Sequence, residues 1–168
     1  MKAEEFLRHL GTAMPDQHVL ADYGLDEDEI ADIQATFVAP RRPSTADPAA
    51  GELERMIVEF DCSRVEIGLV RLHGEITSRP EGLVFASCEA DPLVVRADGC
   101  VAMCDHAVAR SVAFVCAADS ERFLDAMAVY VEFRAEKDAG KSRADAAEEC
   151  AKAAGGSEYR GFYRLLCG

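Results

Sequence analysis

Cys100, Cys104 and His106 stand within seven positions in the stretch CVAMCDHAV. Thiol and imidazole are the side chains that ligate zinc or form a nucleophile–base pair. On an extended strand these even-numbered positions share one face with Ala102, and Val101 and Met103 take the other. Distance then limits the chemistry. Cys100 and Cys104 are four strand residues apart, about 13 Å, whereas two sulfurs on one zinc lie no more than roughly 4 Å apart. They cannot share a metal unless the strand breaks. Cys104 and His106, about 6.6 Å apart, could share one or act as a thiol–imidazole pair. A structural zinc needs two more ligands. His73 and Cys88 fall on other predicted strands, without CxxC or HxxxH spacing. Asp105 points to the opposite face and cannot orient the ring, and the chain has no Asn. The expectation is a core strand with no catalytic residue, cofactor or metal.

Other templates for catalysis do not occur: no GxSxG, HExxH, phosphate-loop or dinucleotide pattern. The glycines of AKAAGG and DAGKS fall at helix ends, where glycine terminates. Cys62, Cys88, Cys116, Cys150 and Cys167 complete an odd set of seven cysteines without dense spacing. That pattern argues for free, buried thiols rather than a disulfide framework.

The elements that hold these residues can be read from periodicity. Residues 3–10 form a short helix with Phe6, Leu7 and Leu10 as its apolar edge. A second helix starts in YGLDEDEIADIQATF, where Asp26 and Glu29 have capping-box spacing. Ile30, Ile33 and Phe37 define its buried face; Glu27, Asp28 and Asp32 lie off it. The plain reading of these three acids is a capped, solvated helix start, and the alternative is a partner-binding patch. Residues 39–51, with three prolines, connect helix to sheet.

From Met56 to Cys116 the period changes to two. MIVEF and VEIGLVRL read as strands, followed by GLVFAS, PLVV, CVAMC and SVAFVC. Asp98-Gly99 marks a hairpin between PLVV and CVAMC. Connections this short leave no room for crossover helices, so the sheet is an antiparallel meander. Helical periodicity returns after Asp119-Ser120 and again after Ser142, with Gly155 as a C-cap, and closes in SEYRGFYRLLC. The expected fold is one α+β domain over residues 1–168, a meander flanked by N-terminal and C-terminal helices.

At 168 residues and 49% hydrophobic, the chain can bury a core of its own. Thirty-one acidic against 18 basic residues give a net charge of −13, which repels nucleic acid and anionic lipid and favours basic partners. There is neither a signal-peptide pattern nor an apolar run of membrane-spanning length, so the expectation is a cytoplasmic protein.

The middle and end of the chain resemble the SUKH superfamily, which includes bacterial immunity proteins and a yeast cell-wall regulator family. The resemblance rests on VEFDCSRVEIGLVRL, GLVFASCEADPLVV, DGCVAMCDH and VCAADSERFLDAM, in that order. Family-like features are Asp91, the turn Asp98-Gly99-Cys100-Val101, and the strand-to-helix passage Ala117 to Ala126. It covers roughly residues 23–133. The N-terminal LP…Y…FL…NGG helix of many members has no counterpart. The resemblance implies an α+β domain that works by binding, neutralising a cognate bacterial toxin domain such as a basic nuclease. Two other readings stand beside it: a small intracellular thiol enzyme using Cys104 and His106, and a regulatory protein-binding scaffold.

Overall fold

The computed structural model describes residues 1–108, 111–135 and 140–168. Four helices come first: α1 (Ala3–Thr12), α2 (Gln17–Asp22), α3 (Glu27–Ala35) and α4 (Glu52–Glu59). Six strands follow: β1 (Glu66–Ile67), β2 (Val70–Arg79), β3 (Gly82–Cys88), β4 (Asp91–Val95), β5 (Val101–Cys104) and β6 (Val112–Ala117). The chain closes with α5 (Ser120–Ala135), α6 (Arg143–Ala154), a 3-10 turn (Ser157–Tyr159) and α7 (Arg160–Cys167). The fold is α+β, as the periodicities predict. Each strand pairs antiparallel with its sequence neighbour, in the order β1-β2-β3-β4-β5-β6.

Local signals account for most element ends. Asp26 Oδ1 accepts the Glu29 N–H at 2.9 Å while Glu29 Oε2 accepts the Asp26 N–H at 3.0 Å, the capping box expected at α3. Asp119 Oδ1 accepts the Arg122 N–H at 2.8 Å, and Ser142 Oγ the Asp145 N–H at 3.1 Å. The turn after β4 is closed by Gly99 N–H donating to Arg96 O at 2.9 Å, with Gly99 at φ +86°.

The main core lies between one face of the sheet and the helices. An aromatic chain crosses it: Phe85 of β3 meets Phe123 of α5 edge-on at 5.5 Å, and Phe123 lies 6.4 Å from Phe162 of α7. Buried residues of α1, α4, α5, α6 and α7 join this one cluster, from Ala3 to Cys167. Val84, Val94, Ala102 and Cys104 form a second buried cluster. The register Val84↔Val94 and Val94↔Ala102 lines three of them up across β3, β4 and β5. At the sheet edge, β6 leaves Val112 and Val115 exposed.

Four readings of the sequence need correction. MIVEF is not a strand but the end of α4, because Leu53, Met56, Ile57 and Phe60 are spaced for one helix face and all are buried. Glu54 Oε2 accepts the Gly51 N–H at 2.7 Å and fixes the helix start inside the supposed connector. VEIGLVRL is two strands, since Gly68, at φ +63°, and Leu69 form a two-residue turn between the paired Ile67 and Val70. A glycine first in such a turn fits type II′. His106 stands beyond the end of β5, so the shared strand face stops at Cys104. On α3 only Ile30 is fully buried; Ile33 is half-buried, as is Phe37, which lies beyond the helix end at Ala35. The six-residue α2, capped by Asp16 accepting the His18 N–H at 2.7 Å, is too short for a periodic signal. Among the described residues, no helix is long and apolar enough to cross a membrane.

Candidate functional site

The Cys-Cys-His stretch does not assemble into a thiol centre. Cys104 packs with Val84, Val94 and Ala102 at 2% exposure, and burial raises its pKa, which suppresses the thiolate a nucleophile needs. Cys100 sits in the turn before β5, partly buried, its thiol pushed up to about 11 by desolvation and then by Asp98. His106 is exposed and turned to another partner. Its Nδ1 lies 2.6 Å from Asp91 Oδ1, which also accepts the His106 N–H at 3.0 Å. Hydrogen bonds from His106 hold Asp91 below the usual carboxylate range; the Asp91 carboxylate raises the imidazole.

Asp91 is thus the residue that orients the ring, and local spacing does not find it, since 15 positions separate the two. It enters the sequence reading only within the resemblance. Asp105 instead accepts the Ala107 N–H at 2.7 Å and the Val108 N–H at 3.2 Å. Asp91, Asp105 and His106 bring one ligand atom each within 4.8 Å of one another, the one such group among the described residues. Neither His73 nor Cys88 belongs to it. Asp91 and His106 are already bonded to each other, so the contact reads first as a tie between β4 and the loop after β5.

An open groove of about 1430 Å³ lies at one end of the sheet. The β2–β3 and β4–β5 turns and the first residues of α1, α4 and α5 line it. Five basic residues, Lys2, Arg55, Arg79, Arg96 and Arg122, face it together with eight acidic ones, Glu52, Asp119 and Glu121 among them. Many of these charges neutralise one another: Lys2 Nζ lies 2.8 Å from Glu121 and 3.3 Å from Glu52, and Arg122 lies 3.5 Å from Asp119. Lys2 is shifted up by Glu121 and Glu52, and Glu121 down by Lys2. Both shifts move away from neutrality, so this pair is not poised for proton transfer.

The three acids singled out on α3 are all exposed, and none lines the groove. Asp32 is tied to Arg64 at 2.7 Å, a partner the sequence reading missed. The side chains of Glu27 and Asp28 make no hydrogen bond or ion pair among the described residues. The charge around them is one-sided. Between Arg8 and Arg41 the chain holds seven Asp and Glu and no Lys or Arg, more than half of the net −13.

No protein-family model, curated protein or solved structure matches this chain.

Proposed function

We propose that the chain is a non-enzymatic interaction protein of the immunity type, which binds and neutralises a basic toxin domain, a nuclease being one such target, in the cytoplasm. The observation that carries this reading is the one-sided charge of residues 9–40, exposed on α2 and α3 and unmatched by any Lys or Arg in that segment. Such a field raises the encounter rate with a basic partner and rejects acidic ones. The SUKH resemblance points to the same class. The state of Cys104, buried and raised in pKa, with His106 bonded to Asp91, speaks against the thiol-enzyme alternative.

The test is co-expression with the protein encoded beside it. The chain should restore growth arrested by that neighbour and form a stoichiometric complex with it. Association should slow as salt rises from about 50 to 500 mM, because the Debye length falls to a few Å. A neighbour that neither harms the cell nor associates would remove the immunity reading.

A further inference from the structure

We propose that the partner docks on α2 and the start of α3, with Val19 and Tyr23 as its apolar contact and the acids of this segment as its charged one. The occupant is a basic polypeptide segment presenting an apolar side chain among Lys or Arg residues. This rests on the reading of the chain as a binder of a basic protein, and adds the surface and the anchors.

The first observation is a helix with no fully buried residue, Leu20 being its one half-buried side chain. A surface helix ordinarily turns an apolar stripe inward, and one of six residues has little stability of its own. Yet α2 has no buried residue. Val19 is 50% exposed and Tyr23, the residue that ends the helix, 81%. Four positions apart, the two lie on the same side. Scattered apolar residues on a surface are ordinary. Here, though, four of the nine large hydrophobics exposed among the described residues, Met14, Val19, Tyr23 and Val38, fall within residues 9–40. Tyrosine is also a side chain enriched where interfaces concentrate their binding energy.

Charge selects the occupant. Asp16 and Asp22 stand at the two ends of α2, and Asp26, Glu27 and Asp28 at the start of α3. Asp22, Glu27 and Asp28 have no partner among the described residues. A second copy would bring the same acids against themselves, each chain at −13. The groove is a poorer surface for a basic segment, because its acids face its own Lys and Arg. The exposed valines of β6 have no comparable acidic run along the strand.

The experiment is an amide chemical-shift titration of the full chain with two synthetic helical peptides of about 16 residues. One has a leucine face and lysines elsewhere; the other carries glutamate in place of lysine. The lysine peptide should shift amides of residues 14–33 and the glutamate peptide should not. Tyr23→Ala should weaken binding roughly tenfold or more without moving the melting midpoint, whereas Tyr23→Phe should retain most of it. Shifts confined to the groove or to β6, or unchanged affinity in Tyr23→Ala, would overturn this surface and leave the basic-partner reading standing. Equal binding of both peptides would overturn the basic occupant. Failure of the lysine peptide to bind at millimolar concentration would remove the charge argument beneath both. Reversible dimerisation abolished by Tyr23→Ala would make a second copy the occupant instead.

Discussion

Asp91 Oδ1 receives both the backbone N–H of His106 at 3.0 Å and a contact with its Nδ1 at 2.6 Å, tying the first residue of β4 to the loop after β5. His106 is raised above the ordinary imidazole value of 6.5, so its contribution is complete below that value and is lost as pH climbs through the raised one. Asp91 is lowered from 3.8, so its share is present above that value and is lost as pH falls through the depressed one. The tie is therefore strongest between about pH 4 and 6.5. His73 behaves oppositely, lowered by burial first and by Arg79 second. Proton NMR titration should place His106 above His73, and Asp91→Asn should bring His106 back toward its ordinary value. The reverse order of the two histidines would mean that the contact does not persist in solution.

Gly68 and Gly99 are turn glycines with positive φ, +63° and +86°, but their surroundings differ. Nothing lies within 4 Å of a Cβ placed on Gly99, whereas one on Gly68 would strike the Tyr130 hydroxyl. That hydroxyl donates to Leu166 O at 3.0 Å inside the core. Gly99→Ala should cost about 1–2 kcal/mol of backbone strain. In Gly68→Ala the displaced Tyr130 hydrogen bond should add roughly another 1–3 kcal/mol. Urea denaturation of the two variants checks the order. Equal midpoints would show that Tyr130 yields without cost.

Burial pushes Cys62 up to about 12 and Cys88 up to about 11, and raises Cys116 as well. Cys167 is the exception, lowered by its hydrogen bond with Cys150 but only 7% exposed. Cys100 is half-buried, and the other six thiols are buried. Under native conditions at pH 8 a disulfide reagent should label Cys100 first and slowly, with all seven reacting only in denaturant. Rapid modification of Cys104 below pH 7 would bring back the thiol-enzyme reading.

What the sequence made legible was local. The caps at Asp26, Asp119 and Ser142 and the Asp98-Gly99 turn each act over three or four residues, and their side chains bond where spacing says they should. MIVEF misleads because five apolar-rich residues fit either period, and the arbiter, Leu53 with the Glu54 cap on Gly51, lies between that run and the connector of residues 39–51. Within VEIGLVRL, Gly68 is the turn signal, and the step from Val65, Ile67 and Leu69 to Val70 and Leu72 shifts the alternation there. The Asp91–His106 and Asp32–Arg64 contacts span 15 and 32 positions. Tertiary structure makes them, and no window of sequence contains their cause.

The α3 start allows capping and docking to be separated experimentally. Asp26 caps the helix through its side chain, and Glu27 and Asp28 occupy the first turn, where negative charge meets the positive helix end. Asp26→Ala removes the hydrogen bond to the Glu29 N–H and should cost about 1 kcal/mol. Reversing Glu27 and Asp28 to Lys leaves the capping box in place and should cost about 0.3–1 kcal/mol per site through the helix dipole, less as salt rises. The two variants should therefore lie close in stability, and binding should separate them. If the acids steer a basic partner, the double reversal slows association severalfold at low salt with little change in dissociation, while Asp26→Ala, which removes one charge, slows it less. Stopped-flow association and thermal melts on the same two variants read both quantities. If the two variants slowed association alike, in step with their similar stabilities, then helix integrity rather than the charge of Glu27 and Asp28 would govern binding.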